Sequence, residues 1–177
     1  EIRLSLVGSE MCIRDRATTE LANVQTQYQR RADMMPQLVK IVKAYAKHEK
    51  ETFEAVTKAR AAVGQVKLDA NNLTPEKLKA YSDAQGELAN AFSKLMVVAE
   101  KYPDLKAVDN FRSLQIQEEG TENRISEARR KYNDAVQQYN MKVRKMPTAI
   151  IANLFGFQTM PKFEAAAGAE KAPDLDI

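Results

Sequence analysis

The stretch Tyr28–Glu51, Y-Q-R-R-A-D-M-M-P-Q-L-V-K-I-V-K-A-Y-A-K-H-E-K-E, decides the fold that this sequence predicts. Large apolar side chains recur in it every three or four residues, which is the spacing of a helix packed at a shallow angle against other helices. The same stretch contains one proline, the only histidine of the chain and several polar residues at positions that face inward on such a helix. It therefore predicts both the core of a helical bundle and the places to search for a site.

The periodicity continues on both sides of this stretch, so we expect one very long first helix. Ile41 and Phe53 flank the apolar stripe and widen it, as a globular bundle requires. At 1.5 Å per residue the helix would be roughly 70 Å long. Steps of three and four residues lead through Leu21, Val24, Tyr28, Arg31, Met35, Leu38, Val42, Tyr45, Glu49, Thr52, Val56, Ala59, Val63 and Val66.

Pro36 lies inside this predicted helix. Proline removes one backbone hydrogen bond and crowds the preceding turn, so we expect a kink at this position. A complete break of the helix at Pro36 is the alternative, because proline often ends a helical pattern.

Two more long helices and one short helix follow. Thr74 can cap the second helix, with Pro75 at its first position and Glu76 in its first turn, and Pro103 ends it. Asp104 can cap a third helix that ends at Pro147. A short apolar helix, 149–154, is closed by Gly156.

These elements predict an all-α fold, an antiparallel up-and-down helical bundle with coiled-coil-like packing, three long helices and a short C-terminal helix. The second helix is only about 28 residues long and covers little more than half of the first. The apolar stripe Leu21–Tyr28 is therefore expected to project beyond the bundle. The C-terminal segment, a second subunit or a membrane-proximal partner would have to cover it.

Composition and charge exclude several classes of protein. The net charge is only +3, and the 27 basic and 24 acidic residues are interleaved, which is typical of solvated helix surfaces. Nucleic-acid binding is not predicted, because the sequence has no basic face with interspersed aromatic residues. The single cysteine, Cys12, excludes an internal disulfide. No apolar run is long enough to predict a transmembrane helix.

Several blocks of sequence, in order and with consistent spacing, resemble the bacterial LemA family over roughly residues 18–175. The resemblance implies a helical bundle that is normally tethered by an N-terminal membrane helix directly upstream of the first helix. It implies no biochemical reaction. The blocks are Gln29–Val39, Tyr45–Glu51, Ala59–Ala61, Tyr102–Ala107, Asn110–Phe111, Thr121–Ile125, Ala128–Val136 and Tyr139–Asn140.

Residues 1–16 stand where the family has its anchor, but they have mixed charge and no helical stripe. We interpret them as a non-native or truncated leader, and a native disordered leader is the alternative. The bundle is then expected at residues 17–156 and a C-terminal tail at 157–177, docked through Phe157 and Phe163. The full-length protein is expected to be membrane-associated, whereas this chain without the anchor is expected to be soluble.

His48, with Glu49 and Glu51 beside it, is the first candidate for chemistry. A zinc helix needs a second histidine four residues later, but Thr52 is there, and a di-iron bundle needs glutamate three residues earlier, where Tyr45 lies. We expect an exposed or capping histidine. With no nucleophile, base or metal constellation, neither an enzyme nor a cofactor is predicted.

Polar residues on the apolar stripes are the second set of candidates. They must be paired, reach the edge of the bundle or face a wet cavity, because an unpaired buried charge is costly. We expect structural pairing; a polar pocket is the alternative, or a carboxylate cluster that binds a cation if Glu49 and Glu118 face each other. The six tyrosines on the stripes are expected to pack in the core. The polar candidates are Arg31, Glu49, Thr52, Glu118 and Thr121.

Two functions are consistent with these sequence features. The first is a scaffold or adaptor, membrane-tethered in its full-length form, that acts through contacts with a protein partner or a second copy and binds no nucleic acid. The alternative is an envelope sensor of a small ligand or cation that uses the polar seam residues.

Overall fold

The computed structural model describes residues 2–145 and 148–164, and within these ranges it contains α-helices, one 3₁₀ turn and no strand. The predicted all-α bundle is confirmed. The elements are α1 (Ile2–Tyr45), α2 (Lys50–Gln65), the 3₁₀ turn Ala70–Asn72, α3 (Pro75–Glu100), α4 (Pro103–Lys106), α5 (Asp109–Arg144) and α6 (Thr148–Leu154).

The predicted first helix is in fact two helices. Helix α1 continues through Pro36, whose exposed ring leaves the buried neighbours Met35 and Leu38 in place. The chain leaves the helix at 46–49 and turns back into α2. The prediction of an unbroken helix to Val66 is therefore wrong, and so is the alternative of a break at Pro36. Spacing alone cannot separate one long helix from two helices whose apolar faces meet across a turn, as they do here.

The later helices follow the sequence more closely. Thr74 caps α3 by accepting a hydrogen bond from the Lys77 backbone at 3.2 Å. The predicted third helix begins later than expected, because Pro103 starts the separate single turn α4 and α5 starts only at Asp109. Helix α5 ends at Arg144, and Pro147 lies outside the described residues. After α6, Gly156 adopts a φ of 72°, a conformation that glycine tolerates best.

Helix α5 runs antiparallel to α1 along most of its length, and this is the most extensive helix pair. Helices α2 and α3 pack against each other and against α1. Helix α4 contacts both α3 and α5 at one end of the bundle. Elsewhere α3 and α5 both rest on α1, and a groove lies between them.

The core consists of two apolar clusters, one toward each end of α1. The first cluster joins the N-terminal half of α1 to the C-terminal half of α5, the start of α3, α6 and the C-terminal segment. The second joins the C-terminal half of α1 to α2, α4, the end of α3 and the start of α5. Four buried polar residues lie on the three helices that connect the clusters: Arg31, Gln85, Glu118 and Thr121.

The stripe Leu21–Tyr28 does not project from the bundle. Leu21, Val24 and Tyr28 are buried in the first cluster beside α5, and Met160 and Phe163 of the C-terminal segment belong to the same cluster. The expected uncovered surface is therefore wrong. The C-terminal segment contributes to the cluster that buries this stripe, as one of the three alternatives proposed. Helix α5 buries the remainder of the stripe, because it is long enough to follow α1.

Residues 2–16 form the first turns of α1, although their sequence showed no stripe. Ile13 packs against the first cluster, and Arg14 donates a hydrogen bond to Asn71 at 3.4 Å. The division of the chain at residues 16 and 156 stays a prediction, and 165–177 lie outside the described residues.

Candidate functional site

A buried arginine organises the polar layer between the two apolar clusters. The Arg31 guanidinium donates to Glu122 Oε1 at 2.5 Å, to the Gln85 backbone oxygen at 2.8 Å and to Gln85 Oε1 at 3.0 Å. These bonds join α1 to α5 and to α3. Charge-assisted bonds of this kind satisfy most of the guanidinium, which would otherwise be costly to bury.

Two tyrosines extend the layer on the side of the first cluster. The Arg31 guanidinium lies 5.1 Å from the Tyr28 ring centre, and the Tyr28 and Tyr81 rings meet edge to face at 5.5 Å. Burial raises the pKa of Tyr28, although Arg129 and Arg31 oppose the shift. Burial raises the pKa of Tyr81 to about 12. Both hydroxyls therefore remain protonated at neutral pH.

Glu118 is the least satisfied member of the layer. Glu118 is 1% exposed, and neither of its carboxylate oxygens accepts a hydrogen bond. Burial raises the pKa of Glu118 to about 7, the charge of Glu122 adds to the shift, and Arg31 opposes it. An ionised Glu118 can only accept hydrogen bonds, whereas a protonated Glu118 can donate one to Glu122, which removes the apparent lack of a partner.

The sequence candidates fall into two groups. Arg31, Glu118 and Thr121 are buried in the layer, where the Thr121 hydroxyl donates to the Gln117 backbone oxygen at 2.8 Å. Glu49 and Thr52 are only half-buried at the start of α2, and the charges that act on Glu118 are Glu122 and Arg31 rather than Glu49. The carboxylate pair in this protein is thus formed within α5.

His48 is exposed, in the turn between α1 and α2. Among the described residues, no three His, Cys, Asp or Glu side chains come together as metal ligands would. Four of the six tyrosines, Tyr28, Tyr81, Tyr132 and Tyr139, are buried as expected, Tyr102 is half-buried, and Tyr45 is exposed.

A groove of about 610 Å³ opens above the polar layer, between α3 and α5. Tyr28 and Arg31 of α1 lie at its base, and residues 162–164 close one end. Its walls combine apolar surface with hydroxyl and charged groups of both signs. The wall residues include Lys79, Ser82, Asp83 and Gln85 of α3 and Glu122, Ile125, Ser126 and Arg129 of α5.

The segment 160–164, here called the strap, lies along α5 and is held through its backbone. Asn140 accepts from the Met160 N–H at 2.9 Å and donates to the Met160 oxygen at 2.8 Å. Asn133 makes the same pair of bonds with Phe163, both at 2.9 Å. The Tyr132 hydroxyl donates to the Pro161 oxygen at 2.8 Å.

Arg129 connects the strap to the groove. Its guanidinium donates to the Glu164 backbone oxygen at 2.7 Å and lies 5.1 Å from the Phe163 ring centre. It also lies close enough to Tyr28 to oppose the rise that burial causes in the pKa of that hydroxyl. The strap therefore reaches the groove and lines one end of it.

Sequence reasoning missed five residues of this site. Gln85 on α3 was not considered as a partner for Arg31. Asn133 and Asn140 lie seven residues apart on α5, and this spacing was the available signal that both face the same way. Glu122 and Arg129 gave no signal, because a charged residue beside an apolar stripe usually faces solvent.

No helix within the described residues is long and apolar enough to cross a membrane. The fold and the site together define the class of protein. It is a helical bundle in which buried polar side chains lie between two apolar clusters and a C-terminal segment binds along one helix. Residues 20–176 match the model of the LemA family, and the chain belongs to that family.

The chain is also similar to magnetosome proteins. It is 34% identical over 86 residues to magnetosome proteins MamQ 1 and MamQ 2 of Paramagnetospirillum magneticum, which is 49% of this chain and 32% of each relative. It is 31% identical over 91 residues to magnetosome protein MamQ of Magnetospirillum gryphiswaldense, covering 51% of this chain and 34% of that protein. The match thus spans about a third of the length of these curated relatives.

Proposed function

We propose that this LemA-family bundle is a non-catalytic scaffold that binds an extended segment of a partner protein in the groove between α3 and α5. The observation that carries the proposal is the groove itself, which lies along α5, the same helix that holds the strap, and which Glu164 lines at one end. The sequence had suggested a partner surface at Leu21–Tyr28, but those residues are covered. The proposal therefore moves the partner surface to the groove.

The strap supports an extended peptide as the occupant. Side-chain amides on α5 bind the backbone of residues 160 and 163, and backbone recognition of this kind depends little on the sequence of the bound segment. Ser126 lies seven residues before Asn133, as Asn133 does before Asn140, and it lines the groove. The polar positions that hold the strap thus continue along α5 into the groove.

The base of the groove supports a bound segment with acidic or carbonyl groups. Arg129 is held in place by its bond to the Glu164 backbone oxygen, so little side-chain entropy is lost when it contacts a ligand. The tyrosine pair provides a rigid apolar surface beside it.

Tethering of the full-length protein to a membrane is part of this proposal. It is supported by the family to which the chain belongs, whose anchor is expected upstream of the first helix. In that form the groove is presented near the membrane surface to a protein partner.

The test is site-specific photocrosslinking in cells that make the full-length protein. A photoreactive phenylalanine replaces Ser126 or Ser82 in the groove, and Lys58, an exposed residue of α2, serves as the control position. We expect the two groove positions to crosslink the same protein and the control position not to. The crosslinked peptide, identified by mass spectrometry, should be a single contiguous segment.

Two results would contradict the proposal. One is the same set of crosslinks at Lys58 and at the groove positions, and the other is no crosslink from the groove in any growth condition. Crosslinks from Ser126 to a second copy would identify the partner as the chain itself.

A second candidate function, a sensor of a small ligand or cation, is favoured by one specific observation. Both oxygens of the buried Glu118 lack a donor, and Glu122 lies one turn away. A cation could occupy this place. Thermal unfolding with Mg²⁺, Ca²⁺, Mn²⁺ or Zn²⁺ tests the idea: a rise in Tm that is lost in Glu118→Gln supports a sensor, and no rise with any of the four ions excludes cation sensing.

A further inference from the structure

The strap repeats its contacts with α5 every three residues. Met160 and Phe163 each bond to one asparagine side chain through both the backbone N–H and the backbone oxygen, with two residues between them. The side chains of these same two residues are buried, at 9% and 5% exposure, and both belong to the first cluster. The backbone bonds and the buried side chains of the strap therefore share a period of three.

A period of three is typical of a polyproline II segment. Such a segment has three residues per turn, so side chains at positions i and i+3 point the same way, whereas in a β-strand they point to opposite faces. Pro161 favours this conformation, because its ring fixes its own φ at about −65° and restricts Met160 to extended backbone. The strap thus contacts α5 as a polyproline II ligand contacts its binding surface.

The spacing of the polar side chains on α5 matches this period. Asn140 and Asn133 are seven residues apart, which is about 10.5 Å along a helix, and three residues of polyproline II rise about 9.3 Å. Asn140 binds Met160 and Asn133 binds Phe163, so the strap runs antiparallel to α5. One more step of seven residues leads to Ser126, which lines the groove. Helix α5 therefore offers the same spacing in the groove as it does beneath the strap.

An aromatic surface also continues from the strap into the groove. Beneath the strap, the Tyr132 ring meets the Phe163 ring edge to face at 5.3 Å. Tyr28 lines the groove together with Arg129, whose guanidinium lies 5.1 Å from the Phe163 ring centre. Because polyproline II segments dock in grooves lined by aromatic side chains, the groove provides what a longer segment of the strap's kind needs.

We propose that the occupant of the groove is a proline-containing segment of a partner protein in the polyproline II conformation, antiparallel to α5 and with an apolar side chain at every third residue. This inference rests on the proposed function, because it names the class of ligand for the same groove. The Ser126 hydroxyl donates to a backbone oxygen of the segment, and an apolar side chain of the segment packs on Tyr28. Proline keeps the segment extended before it binds, so less conformational entropy is lost on binding.

The test is fluorescence anisotropy of two labelled peptides with this 177-residue chain. The first peptide repeats Phe-Pro-Lys four times, so a phenylalanine stands at every third position. The second has the same composition and the same charge, but its four phenylalanines stand at every second position. We expect the first peptide to bind at least about tenfold more tightly, because only there do all the phenylalanines point toward α5 together.

Two variants of the chain locate the binding site. Ser126→Phe fills the groove from an exposed position of α5 and should abolish binding of the first peptide. The matched control, Ser113→Phe, adds the same side chain at an exposed position elsewhere on α5 and should bind the first peptide as the unaltered chain does. Circular dichroism verifies that both variants are folded.

Three outcomes would overturn this class of ligand. One is equal binding of the two peptides that Ser126→Phe abolishes, which would leave the groove a peptide site without a preferred spacing. The others are no binding of either peptide, and unchanged binding of the first peptide by Ser126→Phe. The proposed function is judged separately, because photocrosslinking in cells reports whether the groove has a partner, whatever the spacing of apolar side chains in the bound segment.

Discussion

The Arg31 guanidinium lies 2.5 Å from the Glu122 carboxylate, and this ion pair joins α1 to α5 between the two apolar clusters. The Arg31 side chain is 3% exposed, whereas the Glu122 side chain is 46% exposed. The pair thus consists of a buried cation and a half-solvated anion. Arg31 contributes more to the structure than Glu122 does, because it also donates hydrogen bonds to the backbone and side-chain oxygens of Gln85.

The first prediction concerns the removal of Arg31. Arg31→Met keeps the volume but removes the hydrogen bonds to the Gln85 backbone and side-chain oxygens, and it removes a cation that acts on Glu118. We expect the free energy of unfolding to fall by about 2–3 kcal/mol, less than for a fully buried pair because Glu122 reaches water. Urea denaturation at pH 7 measures it.

The control for this prediction is Arg130→Met. Arg130 makes two ion pairs on α5, but its side chain is 60% exposed. We expect no measurable change in the urea midpoint, because exposed pairs of this kind contribute little. Equal midpoints for Arg31→Met and the unaltered chain would show that the buried layer contributes nothing to stability.

The second prediction concerns the pH dependence that Glu118 confers. Burial and Glu122 raise the pKa of Glu118 from 4.5 to about 7, so the folded state binds more protons than the unfolded state between these values. Stability is therefore highest at the acid end of this window and falls as the pH rises through 7, by up to about 3 kcal/mol for this group.

Glu118→Gln should remove this part of the pH dependence. We expect similar stability to the unaltered chain at pH 5 and a higher urea midpoint at pH 8, because glutamine is neutral throughout. Glu119→Gln, which changes the exposed neighbour on α5, should keep the original slope. A variant Glu118→Gln with the same slope from pH 5 to pH 8 as the unaltered chain would contradict the prediction.

The third prediction concerns the two asparagines that hold the strap. Asn140→Ala removes both bonds to Met160, and Asn133→Ala removes both bonds to Phe163. At about 1 kcal/mol for each bond, local protection should fall by about 2 kcal/mol. Amide hydrogen exchange should accelerate most at Met160 in the first variant and at Phe163 in the second.

Asn90→Ala, at an exposed position of α3, is the control and should leave both amides unchanged. Uniform acceleration of exchange across the whole bundle in the strap variants would argue against a locally held segment. In that case the strap would unfold only together with the bundle.

The fourth prediction concerns Pro36. Because α1 continues through this exposed residue, alanine there restores a hydrogen-bonding N–H and removes the crowding of the preceding turn. We expect Pro36→Ala to raise the free energy of unfolding by about 1–3 kcal/mol. Pro75→Ala is the matched control: Pro75 is at the start of α3, where proline is favoured, so its replacement should not stabilise the protein.

Much of the fold was predictable because apolar periodicity reports which side of a helix is buried. The sequence predicts Leu21, Leu38, Val42 and Tyr132 on the stripes, and all are buried. The helix start at Thr74 was predictable because the cap is a local interaction. The turn at 46–49 was not, because its cause is the packing of α2 back onto α1 through residues such as Phe53 and Val56.

The site was predictable only in part. Sequence alone predicted that Arg31, Glu118 and Thr121 face the interior, since heptad position fixes the direction of a side chain relative to its own helix, but the same spacing also selected Glu49 and Thr52, which are only half-buried. Only the tertiary structure decided that Arg31 pairs with Glu122 and Gln85, that Glu49 lies apart from Glu118, and that α5 and the strap share the cluster in which Leu21–Tyr28 is buried. The physical reason is that these contacts join residues far apart in the chain, and their geometry depends on how the helices are arranged rather than on the period within any one of them.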